Sequence, residues 1–350
     1  MNMKEMFHNK KILITGGTGS IGREIVKQLL EFHPAQIRIF SRDDTKQFEL
    51  EHELRSPENV RFLIGDVRDL NRLKMAMEDI NFVLHAAALK HVSACEYNPF
   101  EVVKTNVDGT QNVIEAALEK NVERVINIST DKAINPTNTL GASKLLAERI
   151  VAAAHSFRGF RRTIFASVRF GNVLGSRGSV TELFKRQIIK RCPVTITHPD
   201  MTRFIMSVPQ AVHLALKALC MTQGREVFIL KMPVARISDL AEAVMEELAP
   251  IYGFKREEIE MKTIGKKAGE KVHEELMTLE ESEAALETEE MFIVLPESTQ
   301  VIGVNDLEDR VYLGARPAEK REYHSKMEKP IVKEQIKILL RETGVLHATV

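Results

Sequence analysis

An excess of charge of either sign is missing: 49 Lys and Arg face 49 Asp and Glu in 350 residues. Bulk charge therefore proposes neither a nucleic-acid partner nor an anionic membrane surface. Cysteine is scarce. Cys95, Cys192 and Cys220 are odd in number, far apart and form no C-x-x-C pair, so neither a disulfide framework nor a cysteine zinc site is indicated. Long apolar runs are missing too. The longest, Ala211 to Met221, is interrupted by His213 and Lys217 and is shorter than the about 20 residues a bilayer requires. Met1 to Lys10 lack the apolar centre of a signal peptide, and the expectation is a cytoplasmic protein without a membrane segment. Internal repeats and low-complexity linkers are absent as well. What is left is a chain long enough for one large or two medium domains around a sizeable core.

The chain is organised around its start. Ile12 to Ile14 is a short apolar run of the kind that forms a buried parallel strand. It leads into Gly16-Gly17-Thr18-Gly19-Ser20-Ile21-Gly22, and apolar residues then recur at helical spacing from Arg23 to Phe32. Strand, glycine turn and helix in that order make a nucleotide site, because glycine admits a close pyrophosphate and the helix start offers unpaired N–H groups. A glycine-rich turn with no ligand produces the same letters.

The next runs continue a strand–helix alternation. Ile37 to Phe40 is the second strand, ending in Ser41-Arg42-Asp43-Asp44, about 20 residues past the glycines, where such folds meet the adenosine ribose. A guanidinium at Arg42 suits a 2′-phosphate and favours NADP, while Asp43 and Asp44 keep NAD open. Arg61 to Ile64 is the third strand, and Asp66 after it is either an adenine contact or a cap for the helix from Leu70. Asn81 to Leu84 is the fourth, running into Ala86 and Ala87, small enough for a dinucleotide to lie close. Asn106 is a buried brace or a solvated position. Arg124 to Ile128 and Thr163 to Arg169 are the fifth and sixth strands.

This alternation predicts an α/β fold with a parallel sheet and right-handed crossovers. We expect a nucleotide-binding domain over 1–180 and a smaller substrate-binding domain over 181–350, interleaved with the last strands. Asp239 to Leu248 reads as an amphipathic helix, Lys333 to Arg341 as a final helix, and the acidic run Glu274 to Glu290 as a solvated face.

The informative constellation is Ser129-Thr130-Asp131-Lys132 followed by Asn138-Thr139-Leu140-Gly141-Ala142-Ser143-Lys144. With the glycine loop it resembles the extended short-chain dehydrogenase/reductase superfamily, whose members pair a Ser or Thr with a Tyr four residues before a Lys. Thr130 and Lys144 match; the tyrosine position is Leu140. In order along the chain come Ser41-Arg42-Asp43, His85 to Val92, Ser129 to Ala133, Arg169 to Val173, Gly175 to Val180 and Met201 to Phe204. Together these resemble the UDP-N-acetylglucosamine 4,6-dehydratases of bacterial surface-sugar synthesis in their short soluble form, over about residues 10 to 295. Two departures stand out: Leu140 for Tyr or Met, and Lys267-Ala268-Gly269-Glu270-Lys271 where the family has Arg-Pro-Gly-Glu-Lys.

The resemblance implies a doubly wound Rossmann-type sheet, redox-neutral use of NADP and a homo-oligomer. It assigns the cofactor to Gly16, Thr18, Gly19, Ser20, Ile21, Gly22, Ser41, Arg42, Lys46, Asp66, Val67, Ala86, Ala87, Lys144 and Val173. It assigns the UDP-sugar to Lys90, Asn172, Arg177, Ser179, Thr197, Met201, Arg203, Lys267 and Glu270, with no metal. Hydride leaves sugar carbon 4, the ketone acidifies carbon 5, the 6-hydroxyl departs as water and the hydride returns to carbon 6, with or without inversion at carbon 5. Thr130, Asp131, Lys132 and Lys144 are the catalytic group. On its own, Asp131-Lys132 is equally a surface ion pair contributing about 0 to 1 kcal/mol. Extended neighbours point to opposite faces, so a bend must bring both to the sugar. A nucleotide-sugar epimerase and a non-catalytic NADP-binding protein are the competing readings.

Overall fold

The six apolar runs of the first half all form parallel strands: β1 (Lys11–Thr15), β2 (Gln36–Ser41), β3 (Val60–Ile64), β4 (Phe82–His85), β5 (Arg124–Ile128) and β6 (Ile164–Arg169). The structure is a computed structural model and describes residues 2–295, 311–344 and 346; residues 296–310 of the expected second domain lie outside them. β1 pairs with both β2 and β4, giving the order β3-β2-β1-β4-β5-β6. The order reverses between β1 and β4, and ligands of such sheets bind beyond the strand ends at that point. The Gly16 turn and Ala86-Ala87 lie there.

Alternation along the strands explains the two helical layers. Leu13, Val83, Val125 and Phe165 stand in register across β1, β4, β5 and β6. They share a buried cluster with residues of the helices Leu70–Ala76, Gly109–Glu119 and Thr139–Phe157. One residue on, Ile14, Leu84, Ile126 and Ala166 form the opposite row, in a cluster with Ile25, Val26 and Leu29 of the helix Ser20–Leu30 and with the helix Val208–Met221. Each fully buried side chain of this size contributes about 1.5–3 kcal/mol, so both faces are held.

The second half adds β7 (Asn172–Leu174), β8 (Val194–Ile196), β9 (Thr202–Ser207), β10 (Val227–Leu230), β11 (Val234–Arg236), β12 (Met261–Thr263), β13 (Glu275–Met277), β14 (Leu286–Glu287), β15 (Met291–Val294), β16 (Arg316–Pro317) and β17 (Tyr323–His324). β10 continues the parallel sheet beside β6, and β15, β14 and β16 close its edge antiparallel. β11, β9 and β7 form a separate small sheet that carries Asn172 and Arg203. A further apolar cluster joins Leu174, Phe184 and Met201 to the helices Ile237–Ile251 and Lys333–Glu342, which cover the two helices expected there. Among the described residues, no helix is long and apolar enough to cross a membrane.

One expectation is corrected. The acidic run from Glu274 to Glu290 is a solvated face only in part, at Glu280, Glu283 and Glu289. Glu274 and Glu275 are buried, β13 pairs with β17, and Glu281 is bound to the buried Arg169 guanidinium. Carboxylates that have fixed partners can be drawn inward, whatever their number in the sequence.

Candidate active site

At the end of β1, Gly16 turns at φ +66°, and a Cβ there would lie 2.7 Å from the Ala87 nitrogen. Only glycine allows the turn and the strand-4 loop to come so close. The Gly16 N–H donates to the Phe40 carbonyl at 2.8 Å, and the Gly19 N–H to the Gly16 carbonyl at 2.9 Å. The helix Ser20–Leu30 starts with no capping side chain and no acidic residue in its first turn, which leaves its positive end open to an anion. Thr18 Oγ1 lies 2.8 Å from Ser41 Oγ and ties the loop to the end of β2. Beyond it stand Arg42, half-exposed, with Nη1 3.4 Å from Asp66 Oδ2, and Lys46, paired with Asp43. Asp66 is not a helix cap: Asp69 caps the Leu70 helix. Burial pushes the Asp66 carboxyl up, but hydrogen bonds from Arg68 outweigh this and hold it below the usual range. Val67 is buried, its carbonyl accepting from Asn112. Open helix N–H groups, a carboxylate and two cations at successive strand ends fit a dinucleotide.

After β5 the chain turns once at Asp131–Ala133, capped by Thr130. This is the bend the adjacent pair requires. Lys132 Nζ lies 2.8 Å from Asp131 Oδ1, with Asp131 fully buried and the lysine side chain 24% exposed, so the pair is not a surface contact. Thr130 Oγ1 donates to the same Asp131 oxygen at 2.8 Å, and Asp131 Oδ2 is buried without a hydrogen-bond partner among the described residues. Glu274 Oε1 approaches Lys132 Nζ to 3.9 Å from the other side. Burial works to lower the Lys132 pKa, but the carboxylates of Asp131 and Glu274 outweigh it and hold it above the usual lysine value. Glu274 is pushed up by burial and by the charge of Asp131. Lys144 donates to the Ile128 carbonyl at 2.6 Å, and burial lowers its pKa to about 8 against the pull of Glu148. Leu140, one turn before Lys144, packs with Cys95 and Val102 and offers nothing to a proton.

One cavity of about 520 Å³ collects twelve of the expected residues: Ile21, Ala86, Lys90, Thr130, Lys132, Lys144, Asn172, Val173, Ser179, Arg203, Lys267 and Glu270. Asp131 reaches it through Lys132. Asn172 Oδ1 is buried with no hydrogen-bond partner. Arg203 is buried, and its donors grip the Thr202, Lys271 and Val272 carbonyls at 2.7 to 2.9 Å; it fixes the segment that carries Lys267 and Glu270. Arg177 lies towards the glycine loop. Its N–H donates to Ser20 Oγ at 2.9 Å, its guanidinium is 3.7 Å from Glu49, and its carbonyl accepts from Lys90 at 2.8 Å. Thr197 and Met201 are outside the cavity lining, Met201 being buried in the second cluster. Asn106 is a brace, bonded to both backbone groups of Leu89 and to Ser143. Among the lining residues missed from sequence are Glu274, His91 and Ser129. Glu274 follows Glu270 by four in a segment already assigned to substrate, and only its place in an acidic run concealed it.

Residues 12–296 match the family described as "Polysaccharide biosynthesis protein". An uncharacterized membrane protein of Methanocaldococcus jannaschii is 54% identical over 345 residues, covering 99% of both chains. A UDP-N-acetylglucosamine 4,6-dehydratase (inverting) of Campylobacter jejuni is 45% identical over 305 residues, 86% of this chain and 87% of that one. A UDP-glucose 4-epimerase of Rickettsia felis is 42% identical over 280 residues, 79% and 80% of the two chains. Among solved structures, Pen from Bacillus thuringiensis superposes with a TM-score of 0.88 at 44% identity, covering 96% of this chain and 98% of that one. With the glycine turn at the sheet's reversal point and Thr130 and Lys144 at the cavity, the chain belongs to the polysaccharide biosynthesis protein family.

Proposed function

We propose that this protein is a UDP-N-acetylglucosamine 4,6-dehydratase working with NADP to supply a 4-keto-6-deoxy sugar nucleotide for surface polysaccharide or glycan. Its relatives carry the names of nucleotide-sugar dehydratases and epimerases, and the chain is an enzyme of that class. One observation favours dehydration: the buried Asp131–Lys132 pair, 2.8 Å apart, at the cavity. Elimination of the 6-hydroxyl needs an acid at that oxygen and a base at carbon 5, and the pair supplies both. An epimerase that only oxidises and reduces carbon 4 has no use for it.

The glycine turn Gly16 to Gly22 and the open helix end would hold the pyrophosphate. Ser41, Arg42 and Lys46 would hold the 2′-phosphate, Asp66 and Val67 the adenine, and Ala86, Ala87, Val173 and Lys144 the nicotinamide end. The nicotinamide, when bound, takes hydride from carbon 4 and returns it to carbon 6. Leu140 cannot accept the 4-hydroxyl proton, but Thr130 Oγ1 already donates to Asp131 Oδ1. Its hydroxyl can take a proton from the sugar as it gives its own to Asp131, which then carries the acid needed at the 6-hydroxyl. Such acid–base help is typically about 100- to 10,000-fold. Lys90, Asn172, Ser179, Lys267 and Glu270 face the same cavity and would orient the sugar nucleotide.

The test is incubation with UDP-N-acetylglucosamine and a trace of NADP, followed by mass spectrometry. A product lighter by one water is expected. An isomer of unchanged mass would establish the epimerase instead, and unaltered substrate a binding protein without this activity.

A further inference from the structure

Lys132 is an ammonium in contact with Asp131, and it must lose a proton before it can remove one from carbon 5. Asp131 cannot be the acceptor on this reading, because it has already taken the 4-hydroxyl proton through Thr130. The other carboxylate at Lys132 is Glu274. It is 3% exposed and lines the same cavity. Its Oε1 lies 3.9 Å from Lys132 Nζ and 3.9 Å from Arg203 Nε, and its Oε2 is buried with no hydrogen-bond partner among the described residues. The gap to Lys132 exceeds a hydrogen bond by about 1 Å, within the swing of a four-carbon stem.

We propose that Glu274 is the proton acceptor for Lys132, freeing its amine to act at carbon 5 and returning the proton when the turnover ends. This rests on the dehydratase reading. At the start Asp131 and Glu274 are carboxylates and Lys132 is an ammonium. Oxidation at carbon 4 sends the hydroxyl proton to Asp131. Lys132 then gives one proton to Glu274, an N–H bond breaking as an O–H bond forms. The free amine takes the carbon-5 hydrogen as a proton, and the electron pair it leaves becomes the carbon 5–carbon 6 double bond. The Asp131 proton leaves with the 6-hydroxyl as water. Carbon 5 later takes a proton back, from Lys132 or from water on the opposite face while Lys132 releases its own to solvent. Glu274 then reprotonates Lys132. Every side chain ends as it began, with one water lost. Burial favours the protonated form of Glu274, which suits it to receive.

The experiment compares native protein with Glu274→Gln, each loaded with NADP and mixed with one equivalent of UDP-N-acetylglucosamine. Absorbance of reduced nicotinamide and product mass are followed together. Glutamine keeps the shape and the backbone contact to Ser325 but cannot take a proton. Reduced nicotinamide should form at the native rate and then decay about 100-fold more slowly or worse. Native decay overturns the proposal. So does an equally slowed formation or weakened UDP binding, which would show that Glu274 only shapes the site. Glu274→Asp is the second variant, since it keeps a carboxylate but lengthens the gap by about 1.5 Å. Its decay should fall between the other two, and native decay there also overturns the proposal. If native protein neither reduces its nicotinamide nor forms a lighter product, the dehydratase reading has failed and this proposal falls with it.

Discussion

Gly141 gives the sharpest test of how the acid–base turn is held. It lies in the first turn of the helix Thr139–Phe157, and a Cβ there would sit 2.2 Å from the Lys132 carbonyl oxygen and 3.0 Å from Pro136 Cβ. By helix propensity alone, Gly141→Ala would stabilise by about 1 kcal/mol. Sterics oppose this. A carbon and a carbonyl oxygen rest at about 3.3–3.6 Å, so helix and turn must part by roughly 1 Å. The carbonyl cannot swing aside, because the turn is fixed by Asp131 N–H to the Phe170 carbonyl at 3.0 Å and Ala133 N–H to the Thr130 carbonyl at 3.1 Å. Overpacking of this kind costs about 1–3 kcal/mol, leaving a net loss of about 0 to 2 kcal/mol. The effect on rate is larger, since a 1 Å displacement of a positioned group costs about 100-fold. We expect a folded variant that binds UDP and NADP normally, melts slightly lower, and turns over about 100-fold more slowly. Calorimetry, a thermal melt and a mass-based turnover assay check the three parts. Native turnover would show that the helix does not set the position of Lys132.

Arg42→Ala should weaken NADP by about 1.5–3 kcal/mol and NAD hardly at all, read by titration; equal losses would remove the 2′-phosphate from Arg42. Asp131→Asn should lower turnover by about 100- to 10,000-fold while UDP binding holds; if single-turnover reduction of nicotinamide stays native, Asp131 has no part at carbon 4. Removing Glu148 leaves the buried Arg169, which it grips at 2.6 and 3.2 Å, short of a partner, and Glu148→Ala should cost about 3–5 kcal/mol in denaturant melts. Lys144 titrates near 8 when folded and about 10.4 when unfolded. Between those values the unfolded chain holds more protons, so this group makes stability rise with pH across that window. Urea melts of cofactor-free Lys144→Met should lack that rise.

The central strands β1 and β4 were legible because they are buried and read as short apolar runs. The glycine turn was legible because a close backbone approach admits few other residues. The later strands were not. β8 and β12 are three residues each and exist by pairing Val194–Ile196 with Met261–Thr263, a contact no local pattern announces. Arg177 was assigned to the sugar side from its motif, yet the loop bends so that its N–H meets Ser20. Glu274 was hidden by composition: among many acidic neighbours, nothing local marks those that are desolvated.

Leu140 shows what sequence and structure say together. The letters reveal that the helix has lost its hydroxyl while keeping Lys144 one turn later. The structure shows that the helix still does the rest of its work, delivering Lys144 to the Ile128 carbonyl and packing its Gly141 face against the Lys132 turn. Leu140 itself joins Cys95 and Val102 in an apolar wall, and charges beside such a wall interact more strongly than charges in water. On the function proposed above, proton transfer lies at the turn, where Thr130, Asp131 and Lys132 are in contact and Glu274 approaches Lys132 to 3.9 Å. On that view Leu140→Tyr should not raise turnover, since Thr130 and Asp131 already take the 4-hydroxyl proton in the cavity that Leu140 lines; a faster Leu140→Tyr enzyme would mean that the site still waits for its tyrosine.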